Sequence, residues 1–289
     1  MNRPYQHWAI TDLPWASFDP TKVDADLLKI IKAAALVEYN ACDYATYLTN
    51  VFPHDAVFRQ DIENWAIEET QHGQALGMWA EKADPSFDFK AAFERYKAGY
   101  HIDINAASSI RGSQTGELIA RCIVETGTSS YYDVLGGAAQ EPVLKALCRH
   151  IVADELRHYK LFHSYLKHYI AKEELGRLKR LRIGLSRIGE SEDDELAYAY
   201  FAANAPADAI YDRPTYTSAY MVRAFPLYRA DHLERMAAMV FRACDIRLSS
   251  FWRKLIKRIA QKLMQVKVKR ALKTQKNLGW KLDELPAKV

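Results

Sequence analysis

The sequence predicts an all-α protein: four long helices forming a bundle, an irregular arm before them and further helices after. Three observations carry this. Gly (12) and Pro (10) are scarce in 289 residues, which disfavours a turn-rich β fold. Long segments place apolar residues three and four apart, and none sustains period-2 alternation beyond the short stretch Val266-Lys267-Val268-Lys269. Two Glu-x-x-His motifs, Glu69 to His72 and Glu155 to His158, each follow a glutamate set in an apolar stripe, with 31 residues from Glu38 to Glu69 and 30 from Glu125 to Glu155.

The elements follow in order. Residues 1–22 hold Pro4, Pro14 and Pro20 among several aromatics and read as an irregular arm. Periodicity predicts a helix over 23–52, stopped by Pro53, and a second over 55–83, ended by Asp84-Pro85. A short helix is expected over 88–101. A third long helix covers 108–135, its end loosened by Gly136-Gly137. The fourth begins at Glu141-Pro142, where proline suits a first turn, and runs to 172. Shorter helices are expected at 173–189, 192–204 and 214–245, the last broken at Pro226, and a basic helix at 248–274. The chain thus divides into an arm (1–22), a bundle (23–172) and additional helices (173–289).

Spacing brings the four glutamates to one level. Glu38 lies 15 residues before Pro53 and Glu69 lies 16 after it, while Glu125 and Glu155 lie 15 either side of Gln140. At about 1.5 Å per residue, each sits roughly 22 Å from its turn. Each also interrupts a largely apolar face: Ile31, Ala34 and Ala41 around Glu38, Ile62 and Trp65 around Glu69, Leu118 and Cys122 around Glu125, Cys148 and Ile151 around Glu155. A lone buried carboxylate costs several kcal/mol, so four converging ones need cations. One Glu from each of two helices and a Glu-x-x-His from each of the other two is the ligand set of a carboxylate-bridged dimetal site. The six expected ligands are Glu38, Glu69, His72, Glu125, Glu155 and His158. Cys42 and Cys122 lie one turn from Glu38 and Glu125; small core residues are the favoured reading of both, cavity-lining residues the alternative.

Composition narrows the class. The chain is 49% hydrophobic and 26% charged, enough for a sizeable core. Its four cysteines lack C-x-x-C spacing, which points to a reducing compartment. The first residues have no apolar h-region, and no apolar run reaches the ~18–20 residues that span a bilayer, so a cytoplasmic protein is expected.

The flanks of the motifs carry a family resemblance. Trp65-Ala66-Ile67-Glu68-Glu69-Thr70-Gln71-His72-Gly73 resembles the W-x-x-E-E-x-x-H-G segment of soluble acyl-acyl-carrier-protein desaturases, members of the ferritin-like di-iron superfamily. Asp154-Glu155-Leu156-Arg157-His158 is similar to their D-E-x-R-H segment, and Glu125 has Thr128 three residues on, as they do. The match spans about 25–170 and departs from the pattern at Gln71, where the family commonly has Arg, and at Glu38, which no second acid accompanies.

The resemblance implies a ferritin-like four-helix bundle holding two iron ions, manganese being accepted by the same donors. It implies Glu69 and Glu155 as bridges and Asp154 as acceptor from the far nitrogen of a ligand histidine. Trp65 would aid electron transfer or simply pack the core. Thr128 would relay protons beside the oxygen-binding face or back-bond to its own helix. Dioxygen would be the co-substrate, and the substrate a C–H bond of an acyl chain borne by acyl carrier protein. Hydroxylation or N-oxygenation of a non-acyl substrate and ferritin-type iron oxidation are the alternatives. No flavin or nicotinamide motif occurs, so a ferredoxin-type donor is expected.

The C-terminal segment is basic. Cys244 to Val289 contains 13 Lys and Arg against 3 Asp and Glu. Leu248, Phe251, Trp252, Leu255, Ile259 and Leu263 share one helical face, with Arg253, Lys254, Lys257 and Arg258 elsewhere. Three readings compete: packing on the bundle, docking of an acidic carrier or ferredoxin, and contact with a membrane surface. No nucleic-acid-binding module is present to favour nucleic acid, and homodimerisation is left open.

Overall fold

The structure, a computed structural model, describes residues 7–190 and 194–277. Residues 1–6 of the expected arm, the first two of the helix expected at 192–204, and the last twelve of the basic segment lie outside them. The described residues are helical throughout, without a strand.

The long elements are α1 (Ala25–Tyr39), α2 (Ala41–Val51), α3 (Ala56–Ala83), α5 (Gln114–Ala138) and α6 (Pro142–Glu173), with a short α4 (Phe89–Gly99) between α3 and α5. Side-chain caps set their starts. Asp24, Asp55, Asp88, Ser113 and Glu141 each accept from a backbone N–H in the first turn of the helix that follows.

Three boundaries differ from expectation. The helix expected over 23–52 is interrupted at Asn40, so α1 and α2 are two segments. There the α1 backbone presses against α3: a Cβ on Gly73 would lie 2.5 Å from the Tyr39 nitrogen. The Asn40 Oδ1 is occupied by Lys97 Nζ at 2.9 Å. Second, α5 starts at Gln114, not 108. Ser109 Oγ and Tyr47 Oη donate to the buried Glu117 at 2.8 Å each, holding the preceding residues as a loop. Third, α5 continues through Gly136-Gly137. A Cβ on Gly136 would come 3.0 Å from that of Cys148, so this glycine serves the close approach of α5 to α6.

The remaining helices are α7 (Arg177–Gly189), α8 (Asp194–Asn204), α9 (Arg213–Ala224), α10 (Ala230–Ala243) and α11 (Ser250–Asn277). Pro226 sits in a 3-10 turn between α9 and α10, and Val266 to Lys269 are helical within α11. The segments α1–α2, α3, α5 and α6 pack around the acidic cluster, α5 lying along α6 and α1 along α3. Helix α8 covers α1, and α7 and α10 cover α5. One apolar cluster joins Ile30, Trp79 and Leu147 of the long helices to Tyr200, Tyr220 and Met221 of the later ones. Helices α8 and α9 thus bury apolar residues on the same core, while Val240 and Ala243 of α10 join a second cluster with Leu118 and Cys122. No helix among the described residues is long and apolar enough to cross a membrane.

Candidate metal centre

Helices α1, α3, α5 and α6 bring Glu38, Glu69, His72, Glu125, Glu155 and His158 together, all buried. They form two overlapping groups: Glu38, Glu69, His72 and Glu155 in one, Glu69, Glu125, Glu155 and His158 in the other. Within each, one ligand atom per residue lies within 4.8 Å of the rest. Glu69 and Glu155 belong to both groups, the placement a bridging pair requires.

The two histidines are held alike. His72 turns Nδ1 toward Glu69 (3.3 Å) and Glu155 (3.4 Å), and its Nε2 meets Asp154 Oδ2 at 2.8 Å. His158 turns Nδ1 toward Glu69 (3.0 Å) and Glu125 (3.7 Å), and its Nε2 meets Glu68 Oε2 at 2.7 Å. The acid preceding each motif glutamate therefore serves the histidine on the opposite helix: Glu68 of α3 holds His158 of α6, and Asp154 of α6 holds His72 of α3. Such a partner keeps its proton on Nε2 and leaves the Nδ1 lone pair for a ligand.

The donor set fits a pair of cations. His72 Nδ1, His158 Nδ1, both carboxylate oxygens of Glu125 and Oε1 of Glu155 are buried without a hydrogen-bond partner. Orphaned buried polar atoms are rare, and these five face one space. Two divalent ions would balance four carboxylates and give each orphan a bond.

The titration behaviour of the bare site says the same. Burial, with Glu69 and Glu155 close by, holds Glu38 well above the ordinary carboxylate range. Burial and the same two carboxylates push Glu125 up likewise. Burial disfavours a charge on Glu69, but the nearby His158 and His72 outweigh it and draw Glu69 well down. Burial opposes protonation of His158, yet Glu69 and Glu68 raise it to about 10. His72 is raised well above its usual value against the same opposition, by Glu155, Glu38 and Glu69.

Further residues complete the surroundings. Thr128 Oγ1 donates to Glu155 Oε2 and also back-bonds within α5, to Val124 O at 3.2 Å. Trp65 lies edge-on to His158, ring centres 6.4 Å apart, with its indole N–H unpartnered. Both line a cavity of about 70 Å³ beside Glu38, Glu69, Glu125 and Glu155. Of the cysteines, neither lines that cavity: Cys42 is exposed near Thr70, and Cys122 is buried in the core.

Several contributors are not among the expected site residues, although Arg157 stands within the D-E-x-R-H segment. Trp8, in the arm, donates its indole N–H to Asp154 Oδ2 at 2.7 Å and lies parallel to the His72 ring. Arg157 pairs with the other Asp154 oxygen. Tyr132, on α5, donates to Glu38 Oε1 at 2.6 Å. Glu68 alone was legible, because acid-Glu-x-x-His occurs twice. Across the cavity stand Arg121, Arg187, Tyr44 and Glu195. Tyr44 and Tyr96 donate to Glu195 at 2.8 and 2.9 Å, and the Arg121 guanidinium lies over the Tyr44 ring at 5.1 Å. No protein-family model matches the chain, and no curated protein matches it.

Proposed function

We propose that this chain is an oxygen-dependent dimetal oxidoreductase built on a ferritin-like four-helix bundle. The carrying observation is the set of five orphaned donor atoms shared by two overlapping ligand groups beside a cavity. Two bound redox metals, iron by the desaturase resemblance and manganese by the same donors, supply the electrons that activate dioxygen. The chain's own residues do the rest. Glu69 and Glu155, which belong to both ligand groups, would hold both ions. Asp154 and Glu68 fix the histidine protons on Nε2. Thr128 keeps a hydroxyl proton against Glu155, on the cavity side. Trp65 closes a wall and excludes water.

The desaturase resemblance makes the substrate an acyl chain presented by acyl carrier protein, with a ferredoxin-type donor supplying electrons. One observation favours a second reading, a small polar substrate. The cavity is small and its far wall is charged: Arg121 is buried with its Nε 3.7 Å from Glu117, and Glu195 is fixed by two tyrosines. An alkyl chain gains nothing from such a wall.

Anaerobic iron loading followed by oxygen exposure tests the proposal, with acyl carriers in one arm and small carboxylates and amines in another, and products read by mass spectrometry. Two metals per chain and an oxygen-dependent organic product are expected. Metal content far below two per chain would sink the dimetal reading. Peroxide without organic product would show iron oxidation instead.

A further inference from the structure

We infer that α11 is a surface helix that docks this protein on an anionic phospholipid bilayer. The helix has ten Lys and Arg and no Asp or Glu. One of its faces holds it to the protein. Ala271 and Gln275 are buried, Gln275 Nε2 donates to Thr215 O at 2.9 Å, and Lys257 Nζ pairs with Glu234 at 2.8 Å. The apolar face, for which packing on the bundle is one of three readings, is a different one, and most of it is exposed.

At about 100° per residue, Phe251, Trp252, Ile259, Leu263 and Val266 fall within one arc of about 120°. They are 66, 53, 48, 57 and 43% exposed, respectively. No other helix among the described residues exposes more than three large apolar side chains. Exposed Lys254, Arg258, Lys262 and Lys269 line one edge of the stripe. A basic cleft at the start of α11 is walled by Lys167, Arg242, Arg247 and Arg253, with Asp245 the one acid lining it.

An acidic soluble partner would match the charges but has no need of five exposed apolar side chains between them. An anionic bilayer takes both. The stripe enters the boundary of headgroups and acyl chains, Trp252 and Phe251 lie at the interface, and the lysine stems follow the apolar surface with their ammonium groups among the phosphates. The inference does not depend on the metal centre.

Flotation of the full chain tests it, with vesicles of phosphatidylcholine alone or mixed equally with phosphatidylglycerol. Binding is expected to the mixed vesicles only and to weaken as salt rises. Phe251→Ser with Trp252→Ser should weaken it at least tenfold. Lys254→Glu with Arg258→Glu should weaken it by about fivefold or more for each charge reversed. Helix content and metal content should stay unchanged in both variants, since these side chains face solvent. Absence of flotation with mixed vesicles would overturn the inference, as would flotation indifferent to the stripe variant. So would a dimer that the stripe variant dissociates, or purified acyl carrier protein binding to the stripe while vesicles do not.

Discussion

His72 and Asp154 stand on different helices, yet Nε2 of one meets Oδ2 of the other at 2.8 Å, and Trp8 donates to that same oxygen at 2.7 Å. One carboxylate oxygen therefore ties α3, α6 and the N-terminal arm to the orientation of a single imidazole. The mirror contact, Glu68 to His158, has no indole donor on it. The two halves of the cluster are alike in ligands and unlike in support.

Asp154→Asn should loosen the ion held by Glu38 and His72. An asparagine can present its amide to Nε2 and favour the wrong tautomer. A loss of about 10- to 100-fold in affinity is expected, read by competition with a chromophoric chelator. Glu68→Gln should act equally on the other ion, and Trp8→Phe more weakly than Asp154→Asn on the first.

Metal binding should release protons and tighten as pH rises through neutrality, because ligands must be deprotonated. Glu38, Glu125, His72 and His158 all hold protons above their ordinary ranges in the bare site. The same shifts predict a stability trend. A raised folded-state value stabilises fully below the unfolded value and loses that as pH climbs. For His158 the window runs from 6.5 to about 10. Glu69 is depressed, so its contribution is present above 4.5 and is lost only in acid. The metal-free protein should therefore lose thermal stability between pH 6.5 and about 10, and thermal melts across that range check it.

Glu125→Leu should abolish one metal and yet leave the metal-free fold as stable or stabilise it by about 1–4 kcal/mol. Both carboxylate oxygens of Glu125 are buried without a hydrogen bond, so their removal strands no hydrogen-bond partner, and His158 Nδ1, 3.7 Å away, keeps Glu69 at 3.0 Å. Chemical denaturation of the two metal-free proteins, with metal content measured alongside, decides this. A large loss of stability would show that Glu125 serves the fold rather than a ligand.

Thr128→Val should retain two metals and slow turnover by about 10²-fold or more if its hydroxyl relays a proton. The hydroxyl touches Glu155 from the cavity side. Oxygen consumed without matching product is the signature to measure. Arg121→Met, by contrast, should raise KM for a small anionic substrate with little change in kcat, and should leave an acyl-chain reaction unaffected.

Much of this was readable along the chain, for a local reason. Helix starts lie within two residues of expectation at Asp24, Asp55 and Glu141, whose side chains cap within three residues of themselves, whereas the start at Ser113, expected at 108, does not. The six candidate ligands were readable because periodicity puts each on an apolar face, where an unaccompanied charge is anomalous. The break at Asn40 was not, since it answers to the α3 backbone at Gly73 rather than to any neighbour in sequence. Nor was the outward turn of the apolar stripe on α11. Periodicity identifies an apolar face but not whether protein covers it.

Helix positions, the depth shared by four glutamates and the doubled acid-Glu-x-x-His pattern are properties of spacing, and a regular helix converts spacing into geometry without outside help. Which histidine Asp154 serves, the Glu68 partner of His158, the tyrosine on Glu38, the tryptophan on Asp154 and the charged far wall of the cavity came only with the fold. Those contacts join residues 82, 90, 94 and 146 apart. At such separations the chain between them decides nothing. Which side chains meet is set by how α3, α5 and α6 pack and by where the arm comes to rest.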